Sequence, residues 1–204
     1  MVSRDYILWE VDTQRDFMLP GGHLYVPGAE KLLPNIRTLT DQAREGRVFL
    51  VSHGCFHTPD DPEFETFPPH CVKGSKGSEF VPEALTNKVI RVPNDPSAKL
   101  PQDLFEYEQI LLEKQTLNIF ESRHADALVR MLPPKARIFV FGVVTEYCVS
   151  FAVKGLLARR HGVTVIRDAI ETLNQQENEK TLAEWHKLGA KLTTTSEAIQ
   201  VLQS

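Results

Sequence analysis

Short apolar runs with β character alternate with helical patterns along the chain, and this alternation constrains the fold more than any other feature. Strand patterns fall at Tyr6–Val11, Val48–Ser52, Val89–Val92, Gln109–Leu112, Ile138–Phe141 and Val163–Arg167. Helical periodicity is expected over roughly Ala29–Glu45, Ser122–Met131, Glu146–His161, Glu177–Leu188 and Ser196–Leu202. Strands that alternate with helices build a parallel sheet covered on both faces. The expectation is therefore one domain over residues 1–204, of α/β class. It is a three-layer α/β/α (Rossmann-like) architecture with a mostly parallel central sheet. No repeat, low-complexity tract or linker divides the chain.

In such sheets ligands bind beyond the carboxyl ends of the strands. Asp12 ends the first strand pattern, the Cys55–His57 group follows the second, Lys114 follows Gln109–Leu112, and Cys148 follows Ile138–Phe141. Any one of these has an ordinary reading: a cap, a solvated lysine, a small buried filler. Their common position on one sheet edge is what points to chemistry. A long loop over residues 54–82 opens at the same edge. From His53 to Cys71 it gathers three aromatics, three histidines and two cysteines. Loops of that length are usually functional or disordered, and this composition favours function.

Composition narrows the classes. A chain of 204 residues can bury a sizeable core. With a net charge of -4 it carries no basic footprint, which argues against nucleic acid as a partner. No apolar run reaches the ~18 residues of a membrane span. The opening MVSRDYILWEVD is too charged for a secretory signal. Three cysteines cannot all pair, so a cytoplasmic protein with reduced thiols is expected.

Cys148 lies in GVVTEYCVS (142–150), directly before the helical pattern VSFAVKGLLARR. A thiol becomes a useful nucleophile when a helix N-terminus, a cation or a base favours its thiolate. The helix start, Lys114 and Asp12 offer one of each, with Asp12 able to take the thiol proton and return it to a leaving group.

Five segments, in order and spacing, resemble one family. They are VDTQRDF (11–17), CFHTPDDPEF (55–64), PPHCVKGSKGSEF (68–80), EKQTLNIF (113–120) and GVVTEYCV (142–149). The chain is similar to the isochorismatase-like cysteine hydrolases, and within them to nicotinamidase-type amidohydrolases. The resemblance implies a triad of Asp12, Lys114 and Cys148 that hydrolyses a small carboxamide through a thioester, nicotinamide being the first candidate. It also implies a cis peptide at Val143–Val144, which places the Val144 and Cys148 N–H groups as an oxyanion hole. Thr145 then supports that turn, or is a simple helix N-cap. Family members that cleave a vinyl ether lack the cysteine, so its presence favours C–N hydrolysis. Other small C–N substrates (carbamoyl, urea-type or lactam) and a non-catalytic oligomeric binding protein are the alternatives.

The resemblance further implies metal ligands at His57 and His70, with Cys55 where the family has aspartate. Thiolate and imidazole suit zinc, and His53 is a substitute candidate. The changed residue is equally compatible with a lost metal site. Phe17, Phe56 and Tyr147 fall on the family's substrate-pocket aromatics, although a core position explains Phe17 as well. Cys71 reads as structural and Asp16 as a loop-ordering residue. A small-molecule amide and a second copy of the chain are the expected partners, with no organic cofactor.

Overall fold

A computed structural model describes residues 3–203. Seven strands form one sheet in the order β3-β4-β2-β1-β5-β6-β7. They are β1 (Ser3–Val11), β2 (Val48–Cys55), β3 (Val89–Val92), β4 (Gln109–Lys114), β5 (Arg137–Val143), β6 (Gly162–Glu171) and β7 (Lys191–Thr193). Every neighbouring pair is parallel. The helices are α1 (Arg15–Met18), α2 (Leu33–Arg44), α3 (Ala125–Met131), α4 (Ser150–Ala158), α5 (Gln175–Lys187) and α6 (Thr195–Leu202).

The two-residue period of β1 explains the layering. Ile7, Trp9 and Val11 face a core shared with α3, α4 and α5, where Leu128, Ala152 and Trp185 are buried. Leu8 faces the opposite core, closed by Ile36 and Leu39 of α2 and Ala198 and Leu202 of α6. Burial on both faces is what makes the inner strands read as continuous apolar runs. Among the described residues no helix is long and apolar enough to cross a membrane.

Several boundaries differ from those expected. Residues 29–45 split into a 3-10 turn (Ala29–Leu32) and α2, because Pro34 suits a helix's first turn. The helix expected from Ser122 begins at Ala125, behind a 3-10 turn at Ile119–Glu121. α5 starts two residues early because Asn174 accepts from the Gln176 and Glu177 N–H groups. Thr194 and Glu197 make a capping box on α6.

Glu10 is the exception within the buried strands. Ser52 Oγ donates to its Oε2 at 2.5 Å, and Gln109 Nε2 donates to Ser52 Oγ at 2.7 Å. Burial pushes the Glu10 carboxyl up to about 8, against the hydrogen bonds of Ser52 and Thr13 and the charge of Arg44. A carboxylic acid that is largely protonated near neutrality thus sits inside the sheet.

Chain order reverses between β1 and β5, and this switch point sets the site. Gly142 makes the close approach there possible. Its φ is 116°, and a Cβ would stand 2.0 Å from the Val11 carbonyl oxygen. No other residue type fits that position.

Candidate active site

Asp12 follows β1 with a left-handed φ of 51°, and its N–H donates to the His53 carbonyl at 2.9 Å. Cys55 and Lys114 end β2 and β4 as register partners. The β5 strand leads through a cis Val143–Val144 peptide into a π-turn, Thr145–Val149, that carries Cys148. The four side chains meet in a buried cluster. Lys114 Nζ is 2.9 Å from Asp12 Oδ2, 2.8 Å from Cys55 Sγ and 3.6 Å from Cys148 Sγ.

Burial and charge set the protonation of this cluster. Burial acts to raise the Asp12 carboxyl, but the Lys114 ammonium and His53 outweigh it and hold Asp12 at about 2. Burial opposes the charge on Lys114, yet Asp12 and the two sulfurs raise it well above an ordinary lysine. Burial, then the Asp12 charge, pushes Cys55 up to about 12 and Cys148 well above an ordinary thiol, with Lys114 opposing. Without a metal, burial and charge therefore favour an ionised Asp12–Lys114 pair and two neutral thiols. Two features oppose the resting thiolate expected from a helix start. α4 begins at Ser150, beyond the π-turn, and desolvation of Cys148 dominates. Thr145 does not cap a helix; its hydroxyl donates to the Glu171 carbonyl at 2.9 Å, tying the turn to β6.

Cys148 opens onto a narrow cavity of about 50 Å³. Its walls are largely apolar, with Phe17, Leu24, Phe67, Tyr147 and Leu173 around Val144, Cys55 and His70. Phe17 and Tyr147 thus stand where the sequence placed substrate contacts. Phe56 does not. Residues 55 and 57 of an extended segment face one way and 56 the other. Phe56 stacks on Phe80 in a separate groove, with the Arg91 guanidinium 3.8 Å from its ring centroid.

Cys55, His57 and His70 converge beside the cavity, their ligand atoms all within 4.8 Å of one another. Both ring nitrogens of His57 are buried without a hydrogen-bond partner, although Nδ1 lies 2.9 Å from Asp61 Oδ2. His70 Nδ1 is 2.8 Å from the Pro68 carbonyl, which favours the tautomer with a free Nε2. Ring nitrogens backed by a carboxylate and a carbonyl are typical of metal-binding histidines. The set of one sulfur and two imidazoles fits a metal, zinc above all. Cys55 must lose its proton to join it. His53 faces Asp12 instead of this group.

Glu63 was not singled out from the sequence, yet it lines the cavity with Oε1 3.8 Å from His70 Nε2. Its place in a run of acidic loop residues hid it. Gln14 and Asp16 hold the loop: Gln14 Oε1 accepts from the Cys55 N–H at 2.7 Å, and Asp16 Oδ2 accepts from the Cys71 N–H at 2.7 Å. Cys71 is buried, its carbonyl accepts from the His57 N–H at 3.1 Å, and its Sγ lies 3.9 Å from the Gly77 carbonyl.

Residues 7–197 match the Isochorismatase domain family, and the chain belongs to that family. Among curated proteins none matches it significantly. The fold is similar to a pyrazinamidase of Pyrococcus horikoshii in complex with zinc. That pair has TM-score 0.74 and 25% identity, over 93% of this chain and 99% of that one. A nicotinamidase from Bacillus subtilis matches with TM-score 0.75 and 20% identity, over 93% and 99%. An N-carbamoylsarcosine amidase from Thermoplasma acidophilum matches with TM-score 0.71 and 23% identity, over 94% and 96%.

Proposed function

We propose that this protein is a cysteine amidohydrolase that converts a small neutral carboxamide to its acid and ammonia. The observation that carries the reading is the convergence of Asp12, Lys114 and Cys148 at the floor of an apolar cavity. The Cys148 sulfur attacks the carboxamide carbon as Asp12 takes the thiol proton. The N–H groups of Val144 and Cys148 receive the developing oxyanion. Asp12 passes the proton to the departing nitrogen, and ammonia leaves behind a thioester. Water, deprotonated by Asp12, then cleaves the thioester, and the thiolate recovers the proton. Lys114 keeps Asp12 ionised at rest and stabilises the sulfur when it carries charge.

Cys55, His57 and His70 would hold a zinc ion, which supplies a coordination position able to hold a substrate nitrogen or a water. Phe17 and Tyr147 flank the slot and suit a flat ring. Nicotinamide and pyrazinamide are therefore the first amides to test, as the neighbours' names also suggest. Among the described residues the cavity lining carries no lysine or arginine to pair with a carboxylate, and it carries Glu63, which disfavours anionic carbamoyl compounds. Ammonia release across a panel of nicotinamide, pyrazinamide, aliphatic amides, urea and carbamoyl amino acids is the test. Turnover of the aromatic amides with rates above the rest is expected. No release from any member would overturn the reading in favour of a non-catalytic binding protein.

A further inference from the structure

His53 is wholly buried on β2, in register with Val11. Its ring meets Trp9 edge-on, with centroids 6.0 Å apart. Neither ring nitrogen has a hydrogen-bond partner among the described residues, and the same holds for both Asp12 carboxylate oxygens, apart from the ion pair of Oδ2 with Lys114. Two orphaned buried groups thus face each other, His53 Nδ1 3.7 Å from Asp12 Oδ1. Buried donors and acceptors are rarely left unpaired in native proteins, because each costs its lost hydration. The gap exceeds hydrogen-bond length by less than about 1 Å. Hydrogen bonds in resting active sites are often long and tighten when substrate binds. The backbone already clamps the two residues together through the Asp12 N–H and the His53 carbonyl.

We propose that His53 is a positioning residue for Asp12, its Nδ1–H donating to Oδ1 so that the carboxylate is held between imidazole and ammonium and aimed at the Cys148 thiol. The groups that face Asp12 are then Lys114 from β4, His53 from β2 and Cys148 from the π-turn. Each carboxylate oxygen has two lone pairs, so both contacts leave room for the thiol proton. The role rests on the amidohydrolase reading, but the pairing itself does not.

Two measurements test it. In His53→Leu the donor is lost while the substrate cavity is untouched, so kcat should fall roughly 10- to 100-fold with KM nearly unchanged. His53→Asn offers an N–H where Nδ1 stands and should recover most of that loss. Equal loss in both variants, or a loss confined to KM, would overturn the role. A loss of bound zinc in both variants would do the same, by making His53 a metal ligand. Nitrogen-15 NMR of histidine-labelled wild type, with His53 assigned through His53→Asn, reads the tautomer without any substrate. The Nδ1–H form is expected. An Nε2–H form would overturn the pairing even in an active enzyme, whereas an inactive protein with the Nδ1–H form would fault only the amidohydrolase reading.

Discussion

The Lys114 ammonium lies closer to Cys55 Sγ, at 2.8 Å, than to Cys148 Sγ, at 3.6 Å. One cation is shared between two sulfurs and a carboxylate, and burial raises the Cys148 thiol well above an ordinary one. Alkylation of Cys148 by iodoacetamide should therefore keep accelerating beyond pH 9. Peptide mapping across pH would show it, and a plateau below pH 7 would mean a resting thiolate.

The Asp12–Lys114 pair is buried at 2.9 Å, so removing one member strands the other. Lys114→Met should cost about 3–5 kcal/mol of stability. Asp12→Asn combined with Lys114→Met should cost less than the two single changes added together. Denaturant unfolding of the three variants measures the coupling, and strict additivity would contradict a paired charge. Asp12, held at about 2, contributes stability that is complete above its unfolded value near 4. That contribution is lost as the pH falls from about 4 toward 2.

Glu10 has the opposite sign. Its folded carboxyl at about 8 lies above the unfolded value, so its own contribution to stability is complete below about 4.5 and is lost as the pH climbs to about 8. Glu10→Gln removes the titration and keeps an oxygen for Ser52. The variant should match wild type near pH 4.5 and exceed it by a few kcal/mol at pH 8. Unfolding curves at the two pH values decide this, and an equal difference at both would exclude a buried titrating acid.

Zinc, not magnesium, should accompany the purified protein, since sulfur and imidazole are poor magnesium ligands. Elemental analysis of wild type beside Cys55→Ala and His57→Ala should show about one zinc per chain only in wild type. Metal-free wild type after zinc addition, with amide turnover intact, would remove the metal and leave the triad.

How much of this was legible in the sequence depends on whether the signal was local. The buried strands β1, β2, β4, β5 and β6 announce themselves because both faces are covered. β7 was missed: it is three residues long, and Lys191 and Leu192 are exposed, so Lys191–Thr193 lacks an apolar pattern. The π-turn was read as helix because its residues suit one; only the non-helical backbone of Tyr147 (φ -112°, ψ -106°) separates it from α4. The sheet-edge rule brought Asp12, Lys114, Cys55 and Cys148 together correctly. It could not reveal that Lys114 touches Cys55, which follows from the register of β2 on β4. Phe56 was assigned to the cavity by resemblance, against the two-residue alternation that turns it away.

Cys148→Ala should lower turnover by at least about 10³-fold, the scale on which a covalent nucleophile acts. Its melting temperature should stay within a few degrees of wild type, since only one small buried atom is removed. A folded variant with residual turnover above a tenth of wild type would put the nucleophile elsewhere.

Acid-quenched mass spectrometry during turnover of nicotinamide or pyrazinamide bears most directly on the covalent route. The peptide containing Cys148 should gain one acyl group, transient in wild type and absent in Cys148→Ala. Steady ammonia release with no acylated Cys148 peptide, or acylation found on Cys55 instead, would contradict it.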